Sequence, residues 1–174
     1  MRPIGTADLF FRAADVPLVS GNALRILSDA GENYPAWMNA IARASAFVHL
    51  EMYIVHNDRI GRRFRDLMMT ATYVESLRAA ARHGVDVRIL VPGNSDVQWV
   101  ANMSRTLYRR LLEGQMRVFE WNGPMLHAKS AVVDGRWTRI GSTNLNISSW
   151  IRNWELDVVI DNTSVAERME AISL

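Results

Sequence analysis

Between Phe47 and Val55 apolar side chains fall on every second position, Val48, Leu50, Met52 and Ile54 alternating with His49, Glu51 and Tyr53. That period belongs to a β-strand with one face buried. Val85 to Val91 reads as a second strand, and Met116 to Trp121 as a third, broken by Asn122-Gly123-Pro124. Helical spacing separates them. Trp37, Met38, Ile41 and Ala44 recur at helical intervals behind Pro35, which is expected in the first turn with Asn33 as the cap. A second helix is expected from the turn at Asn57-Asp58 to Arg82, ended by His83-Gly84 with glycine in a left-handed conformation. A third runs from Val97 to Glu113, with Val100, Met103, Leu107 and Leu111 on one face and Gly114 closing it. From Met125 the pattern is strand, a hairpin turn at Asp134-Gly135, strand to Ile140, a polar loop, and a last strand from Trp154 to Ile160. Residues 1–33 are weakly patterned around Leu24, Ile26 and Leu27 and are expected to form an arm or short lead-in strand. The alternation predicts one α/β domain over 34–174. Its mixed sheet comprises the strands near 47–55, 85–91, 116–121, 126–134 and 154–160, with helices on both faces.

Composition narrows the function classes. The chain has 174 residues, 49% hydrophobic and 22% charged, enough for one real core. Its net charge of +2 does not force a polyanion-binding surface. The absence of cysteine excludes disulfides, a thiol nucleophile and cysteine-liganded zinc. No apolar run reaches the roughly 18 residues of a membrane span, and residues 1–8 lack the apolar core of a signal peptide, so a soluble or peripheral protein is expected. Of the 20 basic residues only Lys129 is lysine. Where arginine is otherwise the rule, a lone lysine is consistent with a need for a compact ammonium, and equally with coding bias.

The candidate chemistry lies between residues 127 and 144: His127-Ala-Lys129-Ser-Ala-Val-Val-Asp134, six residues, then Gly141-Ser142-Thr-Asn144. On a strand His127 and Lys129 point to one face, about 6.5 Å apart along the backbone, so both can reach one phosphate. The imidazole can attack phosphorus or donate a proton, and the ammonium can neutralise phosphoryl oxygens. The loop at 141–144 offers backbone N–H groups and an amide for the remaining oxygens. Such a set requires neither metal nor cofactor, and none is expected. His127 alone would be read as an incidental histidine; chance alone rarely produces the full pattern.

This pattern resembles the signature of the phospholipase D superfamily, H-x-K-x-x-x-x-D followed by G-S-x-N. The likeness extends to Val85-Asp-Val-Arg-Ile-Leu-Val-Pro-Gly, Arg117-Val-Phe-Glu-Trp and Asn153-Trp-Glu155-Leu-Asp-Val-Val, similar to the C-terminal half of bacterial cardiolipin-synthase-like members. Tyr34 to Asp66 is instead similar to the opening of their N-terminal half, and Asp66-Leu67-Met68-Met69-Thr70 looks like a join. The resemblance implies one half of a phospholipase D fold. It also implies a phosphatidyltransferase or phosphodiesterase acting on phospholipids through a phosphohistidine at His127. Lys129 and Asn144 would hold phosphate oxygens, Ser142 would support the loop, and Glu155 would orient a histidine. Asp134, although part of the catalytic signature, is expected to support structure. The implied location is the bacterial cytoplasm or the periphery of the inner membrane, with a phospholipid surface as partner.

Cardiolipin-synthase-like members carry two such motifs, one histidine as nucleophile and one as acid; this chain carries one. His49, His56 and His83 lack the following lysine and aspartate. A homodimer that pairs two His127 is therefore expected. The alternatives are a homodimeric metal-independent nuclease of the same superfamily, with nucleic acid as partner, or an inactive fragment that only binds phosphate. Arg59, Arg62, Arg63 and Arg65 lie on a helix start and read first as a solvated helical face, with contact to anionic head groups or nucleic acid as the alternative. Trp121, Trp137, Trp150 and Trp154 flank the motif, and core packing explains most of them, with one or two left to line an acyl or base pocket.

Overall fold

A computed structural model describes residues 23–52, 64–93, 108–109, 111–124, 126–144 and 154–173. His56, Trp150 and the side chains of Arg59, Arg62, Arg63 and Arg65 lie outside what is described. The described elements run β1 (Ala23–Ser28), α1 (Asp29–Arg43), β2 (Phe47–Met52), α2 (Phe64–Arg82), β3 (Asp86–Pro92), β4 (Arg117–Trp121), β5 (Lys129–Val133), β6 (Trp137–Gly141), β7 (Leu156–Asp161) and α3 (Thr163–Ser173). The seven strands form one mixed sheet in the order β1-β7-β6-β5-β2-β3-β4. β2, β3 and β4 are parallel, and every other pairing is antiparallel.

The strand period sorts the side chains between two faces. Val48, Leu50 and Met52 of β2, Val87, Ile89 and Val91 of β3, and Ala131 and Val133 of β5 meet α1 and α2 through Trp37, Ile41, Tyr73, Val74 and Leu77. That layer is the core. The opposite face carries His49, Glu51, Ser130 and Val132, with Glu170 of α3 beside them. Helices therefore flank the sheet on both sides, as the strand–helix alternation predicts.

Two local signals are realised in detail. Gly84 takes φ +90° at the end of α2, and Val85 N–H reaches back to the Ala80 carbonyl at 3.1 Å. Asp134 and Gly135 both have positive φ, +49° and +61°, as a tight hairpin between β5 and β6 requires. The residues at the suggested join, Asp66–Thr70, lie inside α2 without interrupting it.

The start of α1 differs from expectation. Ser28 is the N-cap and Pro35 lies inside the helix. Glu32 Oε2 accepts the Ser28 N–H at 2.9 Å, and Asp29 Oδ1 accepts the Gly31 N–H at 2.8 Å. With the end anchored by those bonds, the helix carries the proline despite the lost donor to the Gly31 carbonyl and the crowding of the ring against it. Asn33 is thus no cap; it is fully buried in the helix. β1 occupies part of the lead-in stretch and pairs with β7 along all six of its residues.

Candidate functional site

The carboxyl ends of the parallel strands β2, β3 and β4 lie at one end of the sheet, where α/β folds characteristically place their ligands. Antiparallel pairing brings the start of β5 to the same end, since Lys129 pairs with Met52. It also brings the end of β6 beside the start of β7, with Gly141 opposite Asp157. The two halves of the sequence signature, separated by a hairpin, therefore converge there.

Lys129 is the first residue of β5 and is buried, whereas His127 stands two residues before the strand and is exposed. The strand is shorter than the expected 126–134. The two side chains nonetheless meet: Lys129 Nζ lies 3.2 Å from His127 Nδ1 and 3.4 Å from Nε2, and donates to the His127 carbonyl at 2.8 Å. Burial lowers the ammonium's pKa, the Glu155 carboxylate opposes that, and the Arg139 guanidinium adds to it. An ammonium beside an exposed imidazole supplies a nucleophile or proton carrier together with a countercharge for phosphoryl oxygens.

The 141–144 loop is fixed from two sides. Ser142 N–H donates to the Leu156 carbonyl at 3.2 Å, and Leu156 N–H donates to Ser142 Oγ at 3.1 Å. The Ser142 hydroxyl in turn donates to the buried carboxylate of Glu155. The Glu155 carbonyl accepts the Asp29 N–H at 3.0 Å, which ties the start of β7 to the start of α1. Tyr34 Oη donates to the Asn144 carbonyl at 3.4 Å. His127, Lys129, Ser142, Asn144 and Glu155 thus belong to one end of the sheet.

Asp134 does not. It sits five residues beyond Lys129, about 16 Å away along an extended strand. There its carboxylate accepts the Ser45 N–H and hydroxyl at 2.7 and 2.9 Å, the Ala46 N–H at 2.8 Å and the Phe47 N–H at 2.9 Å. Burial raises its pKa, but those bonds outweigh burial and hold the carboxyl below the usual range. Its work is to fix the entry to β2 against the hairpin. Trp137 likewise lies at the far end, opposite Val133 and Asp161. Trp121 is half exposed and donates to the Pro124 carbonyl at 2.7 Å, and Trp154 is 94% exposed beside Glu155.

His49 stacks on Phe47 with ring centroids 4.4 Å apart, on the sheet face that carries α3. Desolvation is the main cause of its pKa falling to about 4, with Arg88 adding to it. His83 Nδ1 lies 2.7 Å from the Ala79 carbonyl at the end of α2.

Sequence reading missed a buried group behind the loop: Asn33, Thr143, Arg139 and Asp157, each at most 1% exposed. Arg139 Nε donates to Asp157 Oδ2 at 2.7 Å. The available signal was a charged residue at an inward position on each of two adjacent strands, with opposite signs.

Comparison with known proteins bears on the family and the fold. The profile of the family described as cardiolipin synthase, phospholipase D-like domain, matches residues 37–172. Cardiolipin synthase A of Proteus mirabilis is 35% identical over 115 residues, covering 62% of this chain and 24% of that protein. The chain thus spans about a quarter of the length of the curated relatives it matches. Among solved structures, the phospholipase D family member Nuc from Salmonella typhimurium superposes with a TM-score of 0.69 at 20% identity, covering 87% of this chain and 91% of that one. Phosphatidylserine synthase from Haemophilus influenzae gives 0.62 at 15% identity, covering 91% of this chain and 40% of that one.

Proposed function

We propose, because this chain belongs to the cardiolipin synthase, phospholipase D-like domain family, that it is a phosphatidyltransferase or phosphodiesterase acting on phospholipids through covalent catalysis at His127. The observation that carries this reading is the Lys129 ammonium within 3.4 Å of both His127 ring nitrogens, at the sheet end that also holds the 141–144 loop. A ring nitrogen of His127 attacks phosphorus, the bond from phosphorus to the leaving alcohol breaks, and that oxygen takes a proton from an acid. An acceptor hydroxyl, of an alcohol or of water, then attacks phosphorus, the P–N bond breaks, and the acceptor's proton passes to the group that served as acid. Lys129 and Asn144 hold phosphoryl oxygens throughout, and Ser142 and Glu155 brace the loop.

The acid comes from His127 of a second copy. General acid catalysis is typically worth about 10²–10⁴-fold, which a lone histidine forgoes. An apolar strip supports the pairing. Leu24 and Ile26 of β1, Ile140 of β6 and Leu156 of β7 are exposed and share one sheet face by register. The strip ends at Leu156, beside Glu155 and Ser142, so a twofold partner seated there places its own His127 near the same phosphate.

Incubation with labelled phosphatidylglycerol, and separately with single-stranded and duplex DNA, all in chelator, tests the substrate. Lipid turnover with an acid-labile phosphoryl label on His127 is expected. Turnover of DNA alone would move the assignment to a nuclease, and turnover of neither to a phosphate-binding module. Mixing wild-type with His127→Ala subunits tests the shared site. Activity per wild-type subunit should fall as the inactive partner is titrated in, and full retention would refute the pairing.

A further inference from the structure

Thr143, between the two loop residues assigned to phosphate binding and loop support, has all three of its polar groups held by one ion pair. Arg139 Nη2 donates to the Thr143 carbonyl at 2.8 Å. Asp157 Oδ1 accepts the Thr143 hydroxyl at 3.0 Å and the Thr143 N–H at 3.3 Å. Arg139 and Asp157 are joined by a 2.7 Å salt bridge, exposed by only 1% and 0% on their side chains. The guanidinium lies 4.0 Å from the centroid of the Trp37 ring, which fixes its plane against α1. Asn33 of α1 completes the set by donating to Thr143 Oγ1 at 2.9 Å.

A buried ion pair is weak evidence for stability, because desolvation of the two charges can equal their attraction, and apolar residues of similar volume often serve the core as well. A pair that reaches past its own strands to grip a loop has a second use. A planar guanidinium can face a carboxylate and a carbonyl at once, which a lysine ammonium does with less directional control. The carboxylate, engaged through one oxygen by Arg139, has the other for Thr143. The packing is close enough that a Cβ on Gly141 would fall 1.8 Å from Asp157 Oδ1, so glycine at the head of the loop is required by the same carboxylate.

We propose that Arg139 and Asp157 are positioning residues for the phosphate-binding loop: through Thr143 they set where Ser142 and Asn144 stand relative to Lys129. This rests on the phosphodiester reading for its kinetic consequence, but not for its structural one. Held in place before substrate arrives, the loop needs no ordering when phosphate binds, a cost that would otherwise fall on affinity.

The test uses the full chain with Arg139→Met/Asp157→Asn, which removes both charges together and leaves no lone buried ion, and with Arg139→Lys. Hydrogen exchange at the amides of 141–144, read by mass spectrometry, should quicken about tenfold in the folded double variant while β2 and β3 remain protected. Inorganic phosphate should bind about tenfold more weakly, and the loss of kcat/KM should be carried largely by KM. Arg139→Lys should fall between wild-type and the double variant in each readout. Unchanged loop exchange and phosphate affinity in a folded double variant would overturn the proposal. If the double variant does not fold, Arg139→Lys carries the test, since it keeps the charge and removes the planar fork that reaches the Thr143 carbonyl. Faster loop exchange in that variant supports the proposal, and unchanged exchange overturns it. A wild-type chain that neither binds phosphate nor turns over substrate defeats the phosphodiester reading alone, because loop exchange still reports on the pair.

Discussion

Replacing Asp134 by asparagine separates the two roles a signature aspartate can have. The carboxylate receives four hydrogen bonds, from Ser45 N–H and Oγ, Ala46 N–H and Phe47 N–H, at 2.7 to 2.9 Å. Asparagine tolerates the positive φ of this turn position, so the backbone is not the perturbation. One of its two terminal atoms is a donor, however; turned toward Ser45, whose hydroxyl can reverse and accept, the amide still leaves the Ser45 N–H without its acceptor, and the remaining bonds lose their charged partner. Hydrogen bonds to a charged group are worth about 1.5–3 kcal/mol each, and those at this exposed corner belong at or below the lower end. One lost bond and three weakened ones amount to about 2–3 kcal/mol. For a chain of this size that lowers Tm by roughly 5–10 °C. Differential scanning calorimetry at neutral pH checks the stability, and kcat/KM measured well below the new Tm should stay within about threefold of wild-type. An unchanged Tm with activity reduced a hundredfold would refute the structural assignment and bring Asp134 into the chemistry. The same bonds set a pH signature. Because the folded carboxyl titrates below its unfolded value, its stabilisation is present above the unfolded pKa of about 3.9 and is lost as pH falls through the folded one. Asp134→Asn should flatten that part of the acid limb.

Gly141→Ala should destabilise by about 3 kcal/mol or more in thermal melts, because the new Cβ meets a fully buried carboxylate that is already bonded on both oxygens. A melt within 2 °C of wild-type would show that β7 yields more easily than its packing implies. His49 contributes with a different pH dependence. Its folded pKa of about 4 lies below the unfolded value near 6.5, so burial of the neutral ring favours folding fully above pH 6.5, and that contribution is lost progressively as pH falls from 6.5 toward 4. His49→Phe should remove this slope in urea melts run across that window, and a slope unchanged by the substitution would contradict the burial argument.

How much of this was legible without coordinates depended on whether a residue's partner was near it in sequence. The alternation at Val48, Leu50 and Met52, the glycine after α2 and the Asp134-Gly135 turn are local signals, and each appears where its spacing placed it. The convergence of His127, Lys129 and the 141–144 loop was legible because a tight hairpin joins them. β1 was obscure for a physical reason: Leu24 and Ile26 lie on the opposite face from buried Leu27, so its apolar residues show neither clean period. Pro35 pointed to a helix start because proline is easiest to place there, while the bonds from Glu32 and Asp29 that hold the real start were not visible as a cap. Arg139 and Asp157 were hardest to find. Strand patterning assigns charged residues outward, and only the β6–β7 register reveals that the two charges neutralise each other inside.

The pairing of β1 with β7 has a consequence for how the chain matures. The partners Leu24 and Ile160 stand well over 100 residues apart, and the bonds from Asn33 to Thr143 and from Tyr34 to Asn144 each span 110 residues. Contacts of such separation require the entropy of closing a long loop before any of their energy is recovered, and they form late. During synthesis, the parallel strands β2, β3 and β4 with α1 and α2 can begin to collapse as they leave the ribosome, but the loop residues cannot reach their helix until β6 and β7 have followed. β1 therefore waits unpaired until a strand from the far side of the sequence reaches it, and α1 gains its contacts with the 141–144 loop only after more than 100 further residues have been made.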